Sequence, residues 1–301
     1  MERMCLPRKV LIREVGPRDG LQNEKQLVTT ADKIRFIQLL VKTGLKNIEV
    51  TSFVNPKAVP QMSDAEELWQ LLPVLPDVKF NALAFNLNGV KRAIKAGVKT
   101  VVVNISASES MNHRHSNKSR EESLQEMEEI IKFAATEKVI IRTDLSMVFG
   151  CPLEGKLGID QISYMVDNLL KIGIQEITLA DSAGLGNPRQ VYEICREIRT
   201  RFPQGEFGLH IHDTKGLGMV NVLAGIQAGF EIIETSVGGL GGCPFIHKAA
   251  GNVPTEDVVY MLHEMGLDTG ISIPDLLDAG YFISGILGRK LASRQAGICL
   301  G

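Results

Sequence analysis

No stretch of this sequence is apolar for long enough to cross a bilayer. Its first residues include Glu2, Arg3, Arg8 and Lys9 without the apolar segment of a signal peptide. Neither a membrane protein nor a secreted one is expected. Cysteine is sparse: Cys5, Cys151, Cys195, Cys243 and Cys299 are odd in number, widely spaced and free of any C-x-x-C pair. That pattern argues against a disulfide framework and fits a reducing compartment, read as the cytoplasm. Cys299 stands third from the end, whereas prenylation needs a cysteine fourth from the end. Charge of neither sign accumulates, the formal net charge being −2, so the basic surface that binds a phosphate backbone is missing and nucleic acid is not an expected partner. Low-complexity tracts, linkers and long internal repeats are absent as well, which favours one domain over 1–301.

What is present is enough for a large core: 301 residues, 44% of them hydrophobic and 23% charged. Short β-branched or apolar runs recur at 10–15, 47–52, 79–85, 100–106, 139–148, 176–181, 207–213 and 232–237. Amphipathic stretches at 30–43, 64–72, 88–96, 119–136, 159–172, 188–201 and 219–228 separate them, several opened by Ser, Thr, Asp or Asn where an N-cap belongs. Eight strands alternating with helices predict an α/β TIM (β/α)8 barrel over about 8–254. A doubly wound sheet that binds a dinucleotide would carry G-x-G-x-x-G after its first strand, and here that place reads Gly16-Pro17-Arg18-Asp19-Gly20. Further helices at 255–265 and 273–284 predict a C-terminal extension over about 255–301, read as a cap or an oligomer contact.

In such a barrel the chemistry sits at the C-terminal ends of the strands. Those ends supply Glu14, Arg18 and Asp19, then Glu49 and Thr51, Asn104 and Ser106, Arg142 and Asp144, Asp181, and His210-Ile211-His212-Asp213. This is more charge than an apolar barrel core tolerates without pairing. His210 and His212, two apart on a strand, point to one face. With Asp19 as an oxygen donor they form a candidate site for Mg²⁺ or Mn²⁺, the plainer alternative being hydrogen-bonded core histidines. Beyond the eighth strand runs Ser236-Val-Gly-Gly-Leu-Gly-Gly-Cys243-Pro244. It reads either as a flexible connection with an inert thiol or as a lid bringing Cys243 into the site as an acid.

Four motifs carry a resemblance to a known family: Glu14-Val-Gly-Pro-Arg-Asp-Gly-Leu-Gln-Asn-Glu24, Ile48-Glu49-Val-Thr-Ser-Phe-Val54, His210-Ile-His-Asp-Thr214, and Gly238-Gly-Leu-Gly-Gly-Cys-Pro244 followed by Gly251-Asn252. Over nearly its full length the chain resembles the 3-hydroxy-3-methylglutaryl-CoA lyases, within a wider group of barrel lyases and Claisen-condensing synthases. The resemblance implies cleavage of that acyl-CoA to acetyl-CoA and acetoacetate, a late step of leucine breakdown. It implies that Asp19, His210, His212 and Asn252 hold the metal and that Arg18 stabilises the enolate oxygen. It also implies that Cys243 takes part in proton transfer and that Glu14, Glu49 and Asp181 complete the polar site; the chemistry needs a general base for the hydroxyl proton, read as His210 or Asp181. Related barrels are commonly dimers, so a homodimer is expected.

Three departures from the family pattern stand out. The usual R-x-Y is Arg142-Thr143-Asp144, the segment after Cys243 reads Pro244-Phe-Ile-His-Lys-Ala-Ala-Gly-Asn252, and Asp213-Thr-Lys-Gly-Leu-Gly-Met-Val-Asn221 follows the histidines. They fit either drift with the same substrate or a lyase for another 3-hydroxyacyl-CoA, such as citramalyl-CoA or a longer 3-substituted glutaryl-CoA. A non-catalytic barrel that only binds an acyl-CoA is the third reading. His113 and His115 fall in a polar segment expected to be a solvated loop, or else to meet CoA phosphates with Arg114 and Lys118. His263 is expected to be structural, and Cys151 to shape a turn.

Overall fold

In the computed structural model, residues 6–242 and 250–298 are described. Eight strands form a closed parallel barrel in sequence order: β1 Leu11–Glu14, β2 Asn47–Ser52, β3 Lys79–Ala84, β4 Thr100–Ser106, β5 Ile140–Ser146, β6 Glu176–Asp181, β7 Glu206–Ile211 and β8 Ile232–Thr235. Closure comes from β1 pairing with β8, Leu11 opposite Ile232 through Glu14 opposite Thr235. The architecture is the expected TIM barrel. Strands covered on both faces read as near-continuous apolar runs, and Val101, Val102 and Val103 in β4 are all buried.

The covering helices are α1 Thr30–Lys42, α2 Ala65–Leu71, α3 Leu87–Ala96, α4 Glu109–Ser116, α5 Arg120–Thr136, α6 Ile159–Lys171, α7 Pro188–Arg201 and α8 Gly218–Gln227. After the barrel come α9 Thr255–Glu264, α10 Ile273–Leu287 and α11 Arg294–Ile298. Caps set the starts of several. Thr29 accepts from the Asp32 amide at α1, Asn187 from the Gln190 amide at α7, and Ser119 with Glu122 forms a reciprocal capping box at α5.

Two expectations are corrected. The segment carrying His113 and His115 is the helix α4 rather than a loop. Ser108 caps it, but Met111 and Asn112 are its only buried residues among those described, so no apolar stripe marks it in the sequence. The seventh strand stops at Ile211, leaving His212 one residue past its end, where it pairs instead with Asn252 in an isolated antiparallel bridge.

Candidate active site

Arg18 and Asp19 sit in a wide turn, Gly16–Gly20, that follows β1. The amides of Arg18, Asp19 and Gly20 all donate to Val15 O, at 3.1, 2.7 and 3.2 Å, which curls the backbone over the barrel mouth. Glu14 braces this turn: Oε1 accepts from the amides of Gly16 (2.7 Å) and Val237 (3.0 Å), and Oε2 accepts from Thr255 Oγ1 (2.6 Å). Burial, only partly offset by those donors, pushes the Glu14 carboxyl up to about 7.

His210 leaves the end of β7 and its Nε2 lies 3.1 Å from Nε2 of His212. Asp19 Oδ2 is 3.7 Å from His212 Nε2, and one donor atom from each of Asp19, His210 and His212 falls within 4.8 Å of the others. Asn252 joins them because its backbone is stitched to both neighbours: Asp213 N donates to Gly251 O (3.0 Å), Val253 N to Ile211 O (3.1 Å) and Asn252 N to Leu240 O (3.3 Å). That approach requires glycine at Gly251, where a Cβ would stand 2.2 Å from Gly239 O.

The Asn252 side chain donates through Nδ2 to Asp19 Oδ2 (2.7 Å) and Leu240 O (3.0 Å). Among the described residues its Oδ1 has no hydrogen-bond partner although it is buried, and neither does His212 Nδ1. Two imidazoles, a carboxylate and an unused amide oxygen form a mixed nitrogen and oxygen donor set, which fits a divalent cation. The charge state suits one as well. Burial opposes ionisation of Asp19, but Arg18, His212 and His210 outweigh it and hold the carboxyl well below the usual range.

Beneath these groups the barrel interior is a lattice of buried ion pairs. Arg18 Nε donates to Glu49 Oε1, and Arg18 Nη1 to Asp19 Oδ1 at 2.7 Å. Arg142 donates to Glu49 Oε2 (2.6 Å), Asp144 Oδ1 (2.9 Å) and Glu234 Oε1 (2.8 Å). Arg13 donates to Glu234 Oε1 (2.9 Å) and Glu176 Oε1 (2.5 Å). Glu234 Oε2 lies 3.0 Å from His210 Nδ1. Asp144 Oδ2 is 3.9 Å from Arg18 Nη2. Burial and the charge of Glu234, opposed by Arg142, push the Asp144 carboxyl up to about 7.

A cavity of about 360 Å³ opens above this lattice, lined by Arg18, Asp19, Asp144, His210 and His212 on its floor and by Phe85, Arg114, His115 and Gly242 toward its rim. Of the residues singled out from the sequence, Arg18, Asp19, His210, His212 and Asn252 come together here, with Glu49 directly beneath Arg18. Glu14 and Asp181 are turned to backbone instead. Asp181 accepts from the amides of Leu185 (3.0 Å) and Gly186 (2.9 Å) and is fully buried. Cys243 lies outside the described residues.

His113 pairs with Glu109 on the surface at 3.1 Å, and Lys118 with Glu126 at 2.6 Å, whereas His115 and Arg114 line the cavity. His263 meets Thr269 Oγ1 at 3.0 Å, and Cys151 bridges Gly155 across a turn, both as expected. Arg13, Glu176 and Glu234 were not singled out from the sequence. For Glu234 the signal is a lone charge inside an otherwise apolar strand, Ile232-Ile-Glu-Thr-Ser236.

The HMGL-like family model matches residues 9–283. Hydroxymethylglutaryl-CoA lyase of Gallus gallus mitochondria is 41% identical over 290 residues, covering 96% of this chain and 97% of that protein. The crystal structure of HMG-CoA lyase from Bacillus subtilis superposes with a TM-score of 0.95 at 39% identity, covering 99% of this chain and 100% of the other. An HMG-CoA lyase from Acinetobacter baumannii, in complex with coenzyme A and 3-methylmalate, superposes with a TM-score of 0.91 at 36% identity, covering 96% and 94%. This chain therefore belongs to the HMGL-like family and is an enzyme of the hydroxymethylglutaryl-CoA lyase type.

Proposed function

We propose that this chain is a divalent-metal-dependent lyase that cleaves 3-hydroxy-3-methylglutaryl-CoA to acetyl-CoA and acetoacetate. The observation that carries the reading is the convergence of Asp19, His210 and His212 beside Arg18 at the mouth of a barrel shared with lyases about 40% identical. Asp19, His210, His212 and Asn252 would hold Mg²⁺ or Mn²⁺. When bound, the cation supplies Lewis acidity that lowers the pKa of the substrate's tertiary hydroxyl and fixes its orientation.

The chain's own groups do the rest. Arg18 donates to the thioester oxygen, where charge develops only as the carbon–carbon bond breaks, so its interaction strengthens toward the transition state. Glu49 and Asp19, each paired with one of its nitrogens, hold the guanidinium in place, while Nη2 stands 3.9 Å from Asp144 Oδ2. The carbanion is protonated by Cys243, on the segment entered from Gly242 at the cavity rim.

For the hydroxyl proton, Asp181 stands outside the cavity lining with both oxygens accepting from backbone amides, whereas His210 has Nδ1 tied to Glu234 and Nε2 facing the other ligands. Ligation and proton acceptance are alternative uses of that one nitrogen. The variant His210→Gln separates them, since loss of a ligand weakens metal binding while loss of a base lowers kcat with metal retained. Glu14 and Asp181 act as braces of the mouth.

We place the enzyme in the cytoplasm as one catalytic domain and a homodimer, within leucine breakdown. Free Cys151 and Cys195 fit a reducing compartment, and no described helix is long and apolar enough to cross a membrane. The test is to incubate the purified chain with 3-hydroxy-3-methylglutaryl-CoA and Mg²⁺ or Mn²⁺ and measure both products by mass spectrometry. Stoichiometric acetyl-CoA and acetoacetate are expected. No acetoacetate, with citramalyl-CoA cleaved under the same conditions, would sink the substrate assignment.

A further inference from the structure

Glu234 has no part in the chemistry above, yet four side chains converge on it. His210 and Glu234 are register partners on the adjacent strands β7 and β8, so the sheet itself sets them side by side. Glu234 Oε2 lies 3.0 Å from His210 Nδ1, while Oε1 accepts from Arg142 Nη1 (2.8 Å), Arg13 Nη1 (2.9 Å) and Thr178 Oγ1 (3.3 Å). Its side chain is fully buried. With three donors fixed on one oxygen, the carboxylate cannot turn away from the imidazole.

A neutral imidazole carries one proton, on either nitrogen, and only the bare nitrogen can coordinate a cation. If that proton sat on His210 Nε2 it would project toward His212 Nε2, 3.1 Å away, and block the donor set. An anchored carboxylate at Nδ1 draws the proton to the far side of the ring and turns the bare Nε2 toward Asp19 and His212.

We infer that Glu234 is a positioning residue for the metal centre: it fixes the tautomer and orientation of His210, with Arg13, Arg142 and Thr178 holding it in place. The inference rests on the proposed metal site and adds a role for a residue that never touches cation or substrate. A carboxylate this deeply paired could also be purely structural, because removing one partner of a buried ion pair destabilises a protein whatever lies nearby. Glu176 provides the control. It pairs with Arg13 in the same lattice but stands two links farther from His210, through Arg13 and Glu234.

The experiment uses the full chain in three forms, the parent, Glu234→Gln and Glu176→Gln. Mn²⁺ affinity is measured from the EPR signal of free Mn²⁺, and the His210 tautomer from ¹⁵N-histidine NMR of the metal-free protein. Glu234→Gln is expected to bind Mn²⁺ about 10- to 100-fold more weakly and to show His210 protonated on Nε2 in part or whole. Glu176→Gln is expected to keep the parent's affinity and tautomer. Should Glu234→Gln not fold, Glu234→Asp, which withdraws the carboxylate by one methylene, carries the comparison with an intermediate loss expected. Parental affinity in the Glu234 variants, an unchanged tautomer, or an equal loss in Glu176→Gln overturns the role. If the parent itself binds no Mn²⁺, the metal reading falls and the positioning role with it. If the parent binds Mn²⁺ and the Glu234 variants bind it equally well, only the positioning role falls.

Discussion

Arg18 and Asp19 are neighbours in sequence with separable tasks, and the ion pair between them does not make them one functional unit. Asp19→Ala removes a carboxylate that Arg18 and both histidines hold ionised, so Mg²⁺ or Mn²⁺ retention in equilibrium dialysis should be lost together with turnover. Arg18→Met should keep the metal and lower kcat by about 10²–10³-fold, the loss typical of a donor to developing charge. Full turnover by Asp19→Ala would remove the metal from the mechanism. The sequence made these residues legible because each is a polar group at a strand exit, where period-two alternation and barrel geometry are enough to aim it. Glu14 and Asp181 share that placement but stand outside the cavity lining, their oxygens meeting backbone amides and a threonine. A strand position cannot distinguish a carboxylate that faces a cavity from one that caps a turn. Glu234 stayed hidden for a related reason: its importance lies in what it holds, and His210 is 24 residues away along the chain.

Among the elements, the connection after β8 carries the heaviest constraint. Gly251 lies against Gly239 O so closely that Gly251→Ala must displace the strand-like segment bridging His212 and Asn252. Isothermal titration should find metal affinity reduced by tenfold or more, an order of magnitude typical of disturbing a metal's supporting groups. Helix caps behave more simply. Ser119→Ala breaks the reciprocal capping box of α5, a helix that contributes no side chain to the cavity lining, and should lower stability by about 1 kcal/mol in urea denaturation with kcat unchanged. Long amphipathic helices and the eight strands were readable from period and cap residues alone. Helix α4 was not, because a short helix held by one serine cap and two buried side chains leaves no repeating apolar signal.

For the whole molecule, buried carboxyls shape how stability responds to pH. Burial pushes both Glu14 and Glu256 up to about 7, so between about 4.5 and 7 each is protonated in the folded chain and ionised in the unfolded one. Unfolding then releases protons, and stability must fall as pH rises through that window, by up to about 1.4 kcal/mol per pH unit for each group. Denaturation midpoints measured from pH 4.5 to 8 should flatten in Glu14→Gln and Glu256→Gln, and a parent whose stability climbs steadily to pH 8 would contradict the assignment. The lattice of ion pairs has a consequence for the order of events in folding. Its members come from β1, β2, β5, β6 and β8, and its two ends are the metal ligands His210 and Asp19. No run of two or three consecutive strands contains it, so a cation finds no finished site on a half-built chain. Mn²⁺ should therefore leave the refolding rate unchanged in stopped-flow experiments while slowing unfolding, acting as a latch on the closed ring rather than as a template for it.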